Sequence, residues 1–327
     1  MIKKVLITGG LGYVGGRVAQ ELVKHHDLHV TVSTRRPLST PPRWLQDSDT
    51  VVVDLLSEAS LENVCRGHRF IVHLAAPNEI DSAADPQNAL LVNVLGTFKL
   101  LEAAQRVGVE RFIYFSTAHV YGAPLVGSIT EQTLPRPVHP YAITHKGAED
   151  CVLAARYQGK IQAIVLRLSN SFGAPAHAAV NRWILVVNDL CRQVVANGKI
   201  ILRTPGLQWR DFITLTDVTR AVEHVLSMPE AAGADGLFNL GGNFPLRIID
   251  MARLVAQRAK AVLGVLPEIQ RPAPGPDDNH QHLDFKVDKL KATGFVLRKN
   301  HEEEIDATLR FCRGLWEGKE NPLGTTR

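Results

Sequence analysis

The chain has 327 residues, of which 45% are hydrophobic and 21% are charged, so it can bury a large core and is not expected to be disordered. Lysine and arginine number 37 against 33 aspartate and glutamate residues, and no basic run alternates with aromatic residues. This small excess of positive charge gives no reason to expect a nucleic-acid or membrane partner, although it suits an anionic small molecule.

The cysteines and the apolar runs bear on compartment and metal use. Cys65, Cys151, Cys191 and Cys312 lack the Cys-x-x-Cys spacing, so they are expected to be reduced thiols without a metal. No apolar run reaches the ~18 residues of a membrane span, and the chain opens on a strand-like run rather than on a signal-like stretch. We therefore expect a cytoplasmic protein with no metal site.

The first strand runs directly into a glycine-rich turn. The strand-like run 2–7 is followed by the segment 8–15, which reads TGGLGYVG, and a periodic apolar pattern then predicts a helix. Gly9 suits a tight turn, Gly12 lets the backbone approach a pyrophosphate, and Gly15 allows close packing of the helix on the sheet. Free N–H groups at a helix start also attract phosphate. The predicted dinucleotide contacts of this turn are Gly9, Gly12, Tyr13, Val14 and Gly15.

The end of the second strand bears on the choice of dinucleotide. A carboxylate there favours NAD, whereas an arginine can pair with the 2′-phosphate of NADP. Arg35 and Arg36 follow the strand, and no carboxylate does. The pattern favours NADP over NAD, and the alternative interpretation is that both arginines belong to a solvated turn.

Two later strand ends add cofactor contacts. Asp54 offers a carboxylate that can meet the adenine, and Leu55 lies beside it. Ala75 and Ala76 follow the fourth strand and are small enough for the backbone to pass close to the cofactor. These four residues are predicted to line the dinucleotide site.

Short β-branched runs alternate with longer amphipathic runs, a pattern typical of βαβ units. It predicts an α/β fold, a Rossmann-type doubly wound parallel sheet of six or seven strands with a smaller C-terminal substrate-binding lobe. Residues 1–172 form the predicted dinucleotide domain, 210–240 return to it, and 173–327 form mainly the lobe. The predicted strands are 2–7, 29–33, 50–53, 70–74, 111–116, 161–168 and 200–203; the helices are 89–107, 141–157, 183–197, 217–228 and 302–312; a proline-rich loop is predicted at 270–278.

Further motifs occur in a fixed order along the chain. They are Asn93-Val94-Leu95-Gly96-Thr97, residues 115–122, residues 141–149, Arg167-Leu168-Ser169-Asn170, residues 210–213, residues 239–242 and Arg271-Pro272. Together with the glycine turn, they make the chain resemble the extended short-chain dehydrogenase/reductase family over nearly its whole length. Members of that family mostly act on nucleotide-linked sugars as epimerases, dehydratases or reductases.

The resemblance implies a catalytic set. It assigns Tyr141 as acid or base, Thr117 as the hydroxyl that bonds the same sugar oxygen, and Asn93 to the cofactor site. Tyrosine has an ordinary pKa of about 10, so it needs help to exchange a proton at neutral pH. The family supplies that help with a lysine one helical turn later, which also holds the nicotinamide ribose.

This sequence departs from the family at that lysine. His145 stands in its place, and Lys146 follows one residue later, rotated by about 100° around the helix. His145 replaces the lysine as a donor to the ribose, or the long side chain of Lys146 still reaches in, or the site is catalytically weakened and the fold is kept for binding.

The resemblance assigns the diphosphate of a nucleotide sugar to Asn170, Arg210 and Arg271. A planar guanidinium matches phosphate oxygens, and an amide can donate to one of them. The alternative for each arginine is an ordinary salt bridge.

The family's 4,6-dehydratases carry an Asp-Glu pair directly after the catalytic threonine, whereas this chain has Ala118 and His119. Dehydration is therefore not expected, and the arginines after the second strand favour reduction of a keto group on a nucleotide-linked sugar. C4 epimerisation is the alternative, and a non-catalytic NAD(P)-binding sensor or scaffold is an alternative of another class. Family members usually dimerise through two helices, for which 89–107 and 141–157 are the candidates, so a homodimer is expected.

Overall fold

The computed structural model describes residues 2–38, 40–46, 48–233, 235–275 and 281–316. The predicted proline-rich loop is described only as far as Gly275, and its residues 276–278 lie outside the described residues. The strands are β1 (Lys3–Thr8), β2 (Leu28–Thr34), β3 (Asp49–Val52), β4 (Phe70–His73), β5 (Arg111–Thr117), β6 (Gly127–Ile129), β7 (Gln162–Leu168), β8 (Asn170–Phe172), β9 (Lys199–Ile201), β10 (Trp209–Thr214), β11 (Leu237–Leu240), β12 (Pro245–Arg247), β13 (Glu268–Gln270) and β14 (Leu283–Phe285). The α-helices are α1 (Tyr13–Leu22), α2 (Glu58–Cys65), α3 (Glu79–Ala84), α4 (Pro86–Ala89), α5 (Thr97–Arg106), α6 (Pro140–Tyr157), α7 (Val186–Asn197), α8 (Leu215–Ser227), α9 (Ile248–Leu263), α10 (Asp288–Ala292) and α11 (His301–Trp316).

A seven-stranded parallel sheet forms the centre of the molecule. Its order is β11-β7-β5-β4-β1-β2-β3, and all of its strand pairs are parallel. The chain moves from β1 outward to β3, then returns to β4 and moves outward on the other side, so β1 and β4 flank the switch point where such sheets bind ligands. Val5, Leu6 and Ile7 of β1 are fully buried, as expected for a strand with helices on both faces. The predicted fold class is confirmed.

Helices cover both faces of this sheet. α1 and α8 pack on one face through apolar residues such as Val18 and Val222, and α2, α5 and α6 pack on the other through residues such as Leu100 and Val152. A separate core joins α7, α9 and α11, and the remaining strands form small sheets, β8-β10-β12, β9-β13 and β6-β14. The domain boundary at residue 172 stays a prediction, although α8 packs on the main sheet and β11 is one of its edge strands.

The predicted helix 89–107 is interrupted. Between α4 and α5 the residues Leu90–Gly96 adopt a π-helical conformation, which leaves Asn93 buried in its middle. Gly96 packs against Leu55 so closely that an added Cβ atom would lie 3.0 Å from the Cβ of Leu55. Single π-helical turns are common at functional sites, and this one places Asn93 beside α6.

The last helix is tied to the first. The Arg17 guanidinium on α1 lies 2.8 Å from the Glu304 carboxylate on α11 and also donates to the carbonyl of Ala174 at 2.8 Å. Glu304 is almost fully buried, and its second oxygen accepts a hydrogen bond of 2.6 Å from the Thr216 hydroxyl at the start of α8. The C-terminal part of the chain is therefore anchored to the helix that follows the glycine turn.

Candidate active site

The glycine turn joins β1 to α1 at the switch point. Gly9 has φ +68°, and an added Cβ there would lie 2.8 Å from the backbone nitrogen of Ala75. A Cβ on Gly15 would lie 2.3 Å from the carbonyl oxygen of Gly9, so only glycine fits this crossing of helix and turn. Gly12 caps α1 without a side chain, and the first N–H groups of the helix are free of intrahelical bonds. This cradle fits a dinucleotide pyrophosphate.

The segment 174–182 lies against the glycine turn. His177 Nε2 is 3.1 Å from the carbonyl oxygen of Leu11 within the turn. Trp44, which follows β2, donates from Nε1 to the carbonyl of Ala176 at 3.2 Å. These contacts bring the segment 174–182 to the predicted phosphate site, and its role beside a dinucleotide stays a prediction.

The other predicted cofactor residues surround the same edge of the sheet. Asp54 is exposed and accepts a hydrogen bond of 2.9 Å from the Leu56 N–H. Leu55 is buried, Ala75 half-buried and Ala76 exposed. Their contacts with a cofactor stay predictions.

A buried histidine that sequence analysis did not single out connects the switch point. His73 lies between two hydroxyls, with Nδ1 2.5 Å from Thr8 Oγ1 and Nε2 2.9 Å from Thr97 Oγ1. Burial lowers the pKa of His73 to about 3, so the ring is neutral at physiological pH. It ties β1 and β4 to α5, and the signal in the sequence was its place at the end of a strand.

Tyr141 and Thr117 meet at the end of β5. Tyr141 is the second residue of α6, and its backbone N–H donates to His139 Nδ1 at 3.2 Å, which caps the helix. Burial and the Glu79 carboxylate raise the pKa of Tyr141 above its usual range, while Arg182 and a hydrogen bond with Thr117 lower it. Because the raising effects win, Tyr141 holds its proton at neutral pH in the protein alone.

His145 lies next to Tyr141 on the same helix. The two ring centroids are 4.4 Å apart with the planes inclined by 62°. Burial lowers the pKa of His145 to about 4, against the opposing effects of Glu79 and the Phe115 carbonyl, so the imidazole is neutral at pH 7. Its Nδ1 lies 2.8 Å from the Tyr114 hydroxyl, and its buried Nε2 has no hydrogen bond to any residue that the structure describes.

Lys146 points its ammonium at other groups. It contacts the Asp150 carboxylate one turn later and lies 3.7 Å from Glu149 Oε1. A role of Lys146 at the cofactor stays a prediction, and it would require the ion pair with Asp150 to open.

Asn93 approaches α6 from the π-helical turn. Its Nδ2 donates to the Thr144 hydroxyl at 2.8 Å, and its Oδ1 is buried without a partner among the described residues. Unpartnered buried polar atoms are rare in folded proteins. The side-chain oxygen of Asn93 and Nε2 of His145 are thus two buried polar atoms that lack partners among the described residues. Both would suit hydrogen bonds with the ribose or nicotinamide end of a dinucleotide.

Two charged residues near Tyr141 were missed. Glu79 at the start of α3 and Arg182 form an ion pair of 2.8 Å, and both act electrostatically on the Tyr141 hydroxyl. Glu79 follows β4 at the edge of the sheet where functional groups gather, which was the available signal. Arg182 lies in an irregular segment without a recognisable pattern.

Arg210 lies on the substrate side. It is half-buried on β10, its Nη1 donates to the Trp209 carbonyl at 2.9 Å, and it has no carboxylate partner within the described part of the chain. Burial lowers the pKa of Arg210. The pKa of His119 is lowered, mainly by partial burial and to a smaller extent by the Arg210 guanidinium. Arg210 therefore lies near the turn that follows Thr117.

The other two predicted substrate residues are used differently. Asn170 donates from Nδ2 to the carbonyl of Asp211 at 3.0 Å. Arg271 is exposed, and its Nη1 donates to the Pro205 carbonyl at 2.6 Å. No contact between these two side chains and Arg210 joins them into one site in the protein alone, so their roles stay predictions.

Two wider properties apply to the described residues only. No helix there is both long enough and apolar enough to cross a membrane. Nor do these residues contain a group of three or more histidine, cysteine, aspartate or glutamate side chains that could hold a metal ion.

Comparison with known proteins gives one consistent family. The NAD dependent epimerase/dehydratase family matches residues 5–241. The chain is 27% identical to the dTDP-D-glucose 4,6-dehydratase of Mus musculus, covering 98% of this chain and 92% of that protein. It is 30% identical to the UDP-glucose 4-epimerase of Corynebacterium glutamicum, covering 77% and 80%. The crystal structure of MoeE5 in complex with UDP-glucose and NAD is 26% identical, with a TM-score of 0.76 over 95% of this chain and 99% of that one.

The expected preference for NADP over NAD is wrong. The matching family is NAD dependent, and MoeE5 was crystallised with NAD. In the structure Arg35 and Arg36 are exposed in the turn after β2, where the Thr34 hydroxyl donates to the Arg36 carbonyl. Nothing in this turn requires a phosphate, because both guanidinium groups can remain hydrated.

Proposed function

Because the chain belongs to the NAD dependent epimerase/dehydratase family, we propose that it is an NAD-using epimerase that inverts C4 of a nucleotide-linked sugar. Membership confirms the resemblance to the extended short-chain dehydrogenases/reductases and the expectation of an enzyme of that class. The observation that carries the proposal is the segment 174–182, which lies against the glycine turn. An epimerase must retain its cofactor between oxidation and reduction, and a flanked phosphate site favours retention.

The proposed chemistry needs only one pair of protein groups at the reacting carbon. NAD, when bound, supplies a hydride acceptor that returns the hydride to the sugar. Tyr141 exchanges the proton of the sugar hydroxyl. Thr117 forms hydrogen bonds with Tyr141 and with the same sugar oxygen, and so keeps the two in register. Ala118 and His119 occupy the places of the dehydratase carboxylates, so elimination lacks its acid and base.

Binding of the diphosphate is proposed to centre on Arg210. It is a half-buried guanidinium with no carboxylate partner among the described residues, and such a cation is stabilised by a bound anion. Asn170 and Arg271 are proposed as further phosphate donors. The glycine turn is proposed to hold the NAD pyrophosphate, and Asp54 the adenosine end.

Ketoreduction is the second candidate, because Tyr141 holds its proton in the protein alone. A protonated tyrosine can donate at once to the alkoxide formed from a keto sugar, whereas oxidation first requires it to lose that proton. Epimerisation demands both steps, so bound NAD must make the proton easier to remove.

The two candidates differ in their use of cofactor. We would incubate the full-length protein with UDP-glucose or dTDP-glucose and sub-stoichiometric NAD, and follow the sugar by proton NMR. A C4 epimer formed without net NADH supports the proposal; a 4-keto-6-deoxy sugar would indicate dehydration. Oxidation of NADH that depends on a 4-keto sugar would indicate ketoreduction, and cofactor binding without turnover would support a sensor or scaffold.

A homodimer is proposed from an apolar face. Leu90, Leu91, Leu95 and Phe98, on the π-helical turn and α5, are between 39% and 50% exposed, and Ile143 on α6 is similarly exposed at 46%. This face coincides with the two helices implied by the resemblance. Sedimentation velocity should show a dimer that Phe98→Glu converts to a monomer, whereas Val296→Glu, at another exposed apolar residue, should leave it intact. A wild-type monomer at micromolar concentration would contradict the proposal.

A cytoplasmic location is also proposed. The four cysteines are free in the structure, and three of them are buried, as expected where disulfides do not form. Fractionation of the source cells, followed by immunoblotting, should place the protein in the cytosolic fraction, and recovery from an extracellular or envelope fraction would contradict this.

A further inference from the structure

Tyr114 and His145 form a buried pair beneath Tyr141. Tyr114 lies in β5 with its side chain almost fully buried, and His145 lies on α6. The Tyr114 oxygen is 2.8 Å from His145 Nδ1. Tyr114 belongs to the strand that ends at Thr117, so this bond joins the two elements that carry the proposed catalytic residues.

The pair has one favourable arrangement of protons. Burial lowers the pKa of His145 to about 4 and raises the pKa of Tyr114, so both groups are neutral at pH 7. A neutral imidazole has one N–H group and one bare nitrogen. The Tyr114 hydroxyl has no other hydrogen-bond partner among the described residues, so a proton on Nδ1 would leave its buried hydrogen without an acceptor. The satisfied arrangement has Tyr114 donating to Nδ1 and the imidazole proton on Nε2.

Nε2 is also the atom that lacks a partner. It is buried, it makes no hydrogen bond within the described part of the chain, and it belongs to a ring packed against Tyr141. The Phe115 carbonyl lies close enough to the ring to raise the pKa of His145 as a backbone hydrogen-bond partner, but it forms no hydrogen bond of normal geometry with Nε2, and its effect is smaller than that of burial. An N–H donor without an acceptor is costly when buried, so this position suits a hydroxyl brought in by a ligand.

We propose that Tyr114 is a positioning residue, which holds His145 in the Nε2–H tautomer so that a neutral N–H can donate to a hydroxyl of the NAD ribose. This inference rests on the proposed site around Tyr141. Of the alternatives that the sequence leaves open, it selects the one in which His145 replaces the family's lysine. The charged ammonium is then replaced by an uncharged N–H donor. Tyr114 has no contact with the cofactor in this arrangement and acts only through His145.

The tautomer can be measured without substrate. We would label the full-length protein with 15N-histidine, remove any bound nucleotide and record long-range 1H–15N correlation spectra at pH 7. The signal of His145 is the one that disappears in His145→Gln. We expect the Nε2–H pattern in the wild type and a mixed or Nδ1–H pattern in Tyr114→Phe. Tyr121→Phe is the matched control, because it removes a buried hydroxyl that bonds Asn239 and Arg167 rather than His145. An Nδ1–H wild type, or an unchanged spectrum in folded Tyr114→Phe, would overturn the proposal.

NAD affinity gives the second readout. Loss of one oriented hydrogen bond should weaken NAD binding to Tyr114→Phe about 3- to 10-fold by titration calorimetry. In a His145→Lys background the same substitution should have no such effect, because an ammonium has no tautomer to fix. Equal weakening in both backgrounds would mean that Tyr114 acts through packing alone. Both readouts are independent of the sugar, so a failure of the proposed epimerase activity would leave their result standing.

Discussion

The two sides of the candidate site differ in the charge of their functional side chains. The side built from β5 and α6 carries Thr117, Tyr141 and His145, which are neutral at pH 7. The side built from the segment 174–182 and β10 carries the guanidinium groups of Arg182 and Arg210, both half-buried. The proposed proton exchange and the proposed anion binding therefore use different elements of the fold. The family's lysine supplies a charge on the first side, whereas in this chain the Lys146 ammonium on α6 is paired with Asp150 and the guanidinium groups lie on the second side.

The largest expected effect tests the neutral side. Tyr141→Phe removes the only hydroxyl proposed to exchange a proton and should lower kcat by about 10²- to 10⁴-fold. Tyr157→Phe is the matched control, since Tyr157 lies at the other end of α6 and is 95% exposed. Steady-state kinetics would measure both, and near-normal turnover by Tyr141→Phe would remove Tyr141 from the chemistry.

The neutrality of the first side predicts how stability depends on pH. The pKa of His145 is about 4 in the folded protein, below the ordinary value of 6.5, so the unfolded chain binds the extra proton between these values. The stability that the folded protein gains from keeping His145 neutral is fully present above pH 6.5. It is lost as the pH falls towards 4, and the loss amounts to about 3 kcal/mol of the free energy of unfolding. Urea unfolding at pH 7 and pH 4.5 should show a smaller loss for His145→Gln than for the wild type. Equal losses would indicate that His145 is not held neutral.

The cationic side should affect binding more than turnover. Arg210→Gln should raise the KM for a nucleotide sugar about 10- to 100-fold with little change in kcat, because it removes a charge-assisted contact with the diphosphate. Arg66→Gln is the control, since Arg66 is exposed before β4, at the opposite edge of the sheet. A fall in kcat at constant KM would place Arg210 in the chemistry and blur the separation of the two sides.

The smallest expected effect tests the ion pair between Glu79 and Arg182, which lies near Tyr141. The groups that face Tyr141 are Glu79 on α3, Arg182, Thr117 on β5 and the neutral His145. Glu79→Gln should lower the kinetic pKa assigned to Tyr141, and Arg182→Gln should raise it, each by about one unit or less. The pH profile of kcat would measure both shifts. Shifts of the same sign would mean that the substitutions act by rearranging the site.

Sequence patterns predicted the parts of the fold that repeat a physical rule. The glycine turn, the parallel strands β1 to β5 and β7, and the helix with Tyr141 could be located because buried strands and amphipathic helices have distinct periods. The three-residue strands β6, β8, β12, β13 and β14 carry too few residues for a period, and α9 was not predicted although it has a regular apolar face. Arg182 could not be found, because its position depends on contacts of an irregular segment.

The site shows the same division between pattern and context. Motif spacing located Tyr141 and Thr117, which meet in the structure. It could not tell that the ammonium of Lys146 pairs with Asp150 or that Tyr114 reaches His145, because both depend on side-chain directions across two elements. The preference for NADP failed for a related reason: an arginine after β2 is informative only when something holds it at the ribose, and Arg35 and Arg36 are exposed.

The ion pair between Arg17 and Glu304 sets a limit on the timing of folding in the cell. Its two residues are separated by 287 positions, so α1 leaves the ribosome long before its partner has been made. At ordinary rates of synthesis that interval is about 15 to 60 seconds. During that interval the Arg17 guanidinium has no Glu304 carboxylate with which to pair. Helix α1, which follows the glycine turn, thus gains this ion pair only when α11, the last helix of the described residues, has been made, and ribosome-bound chains ending before residue 304 should lack it.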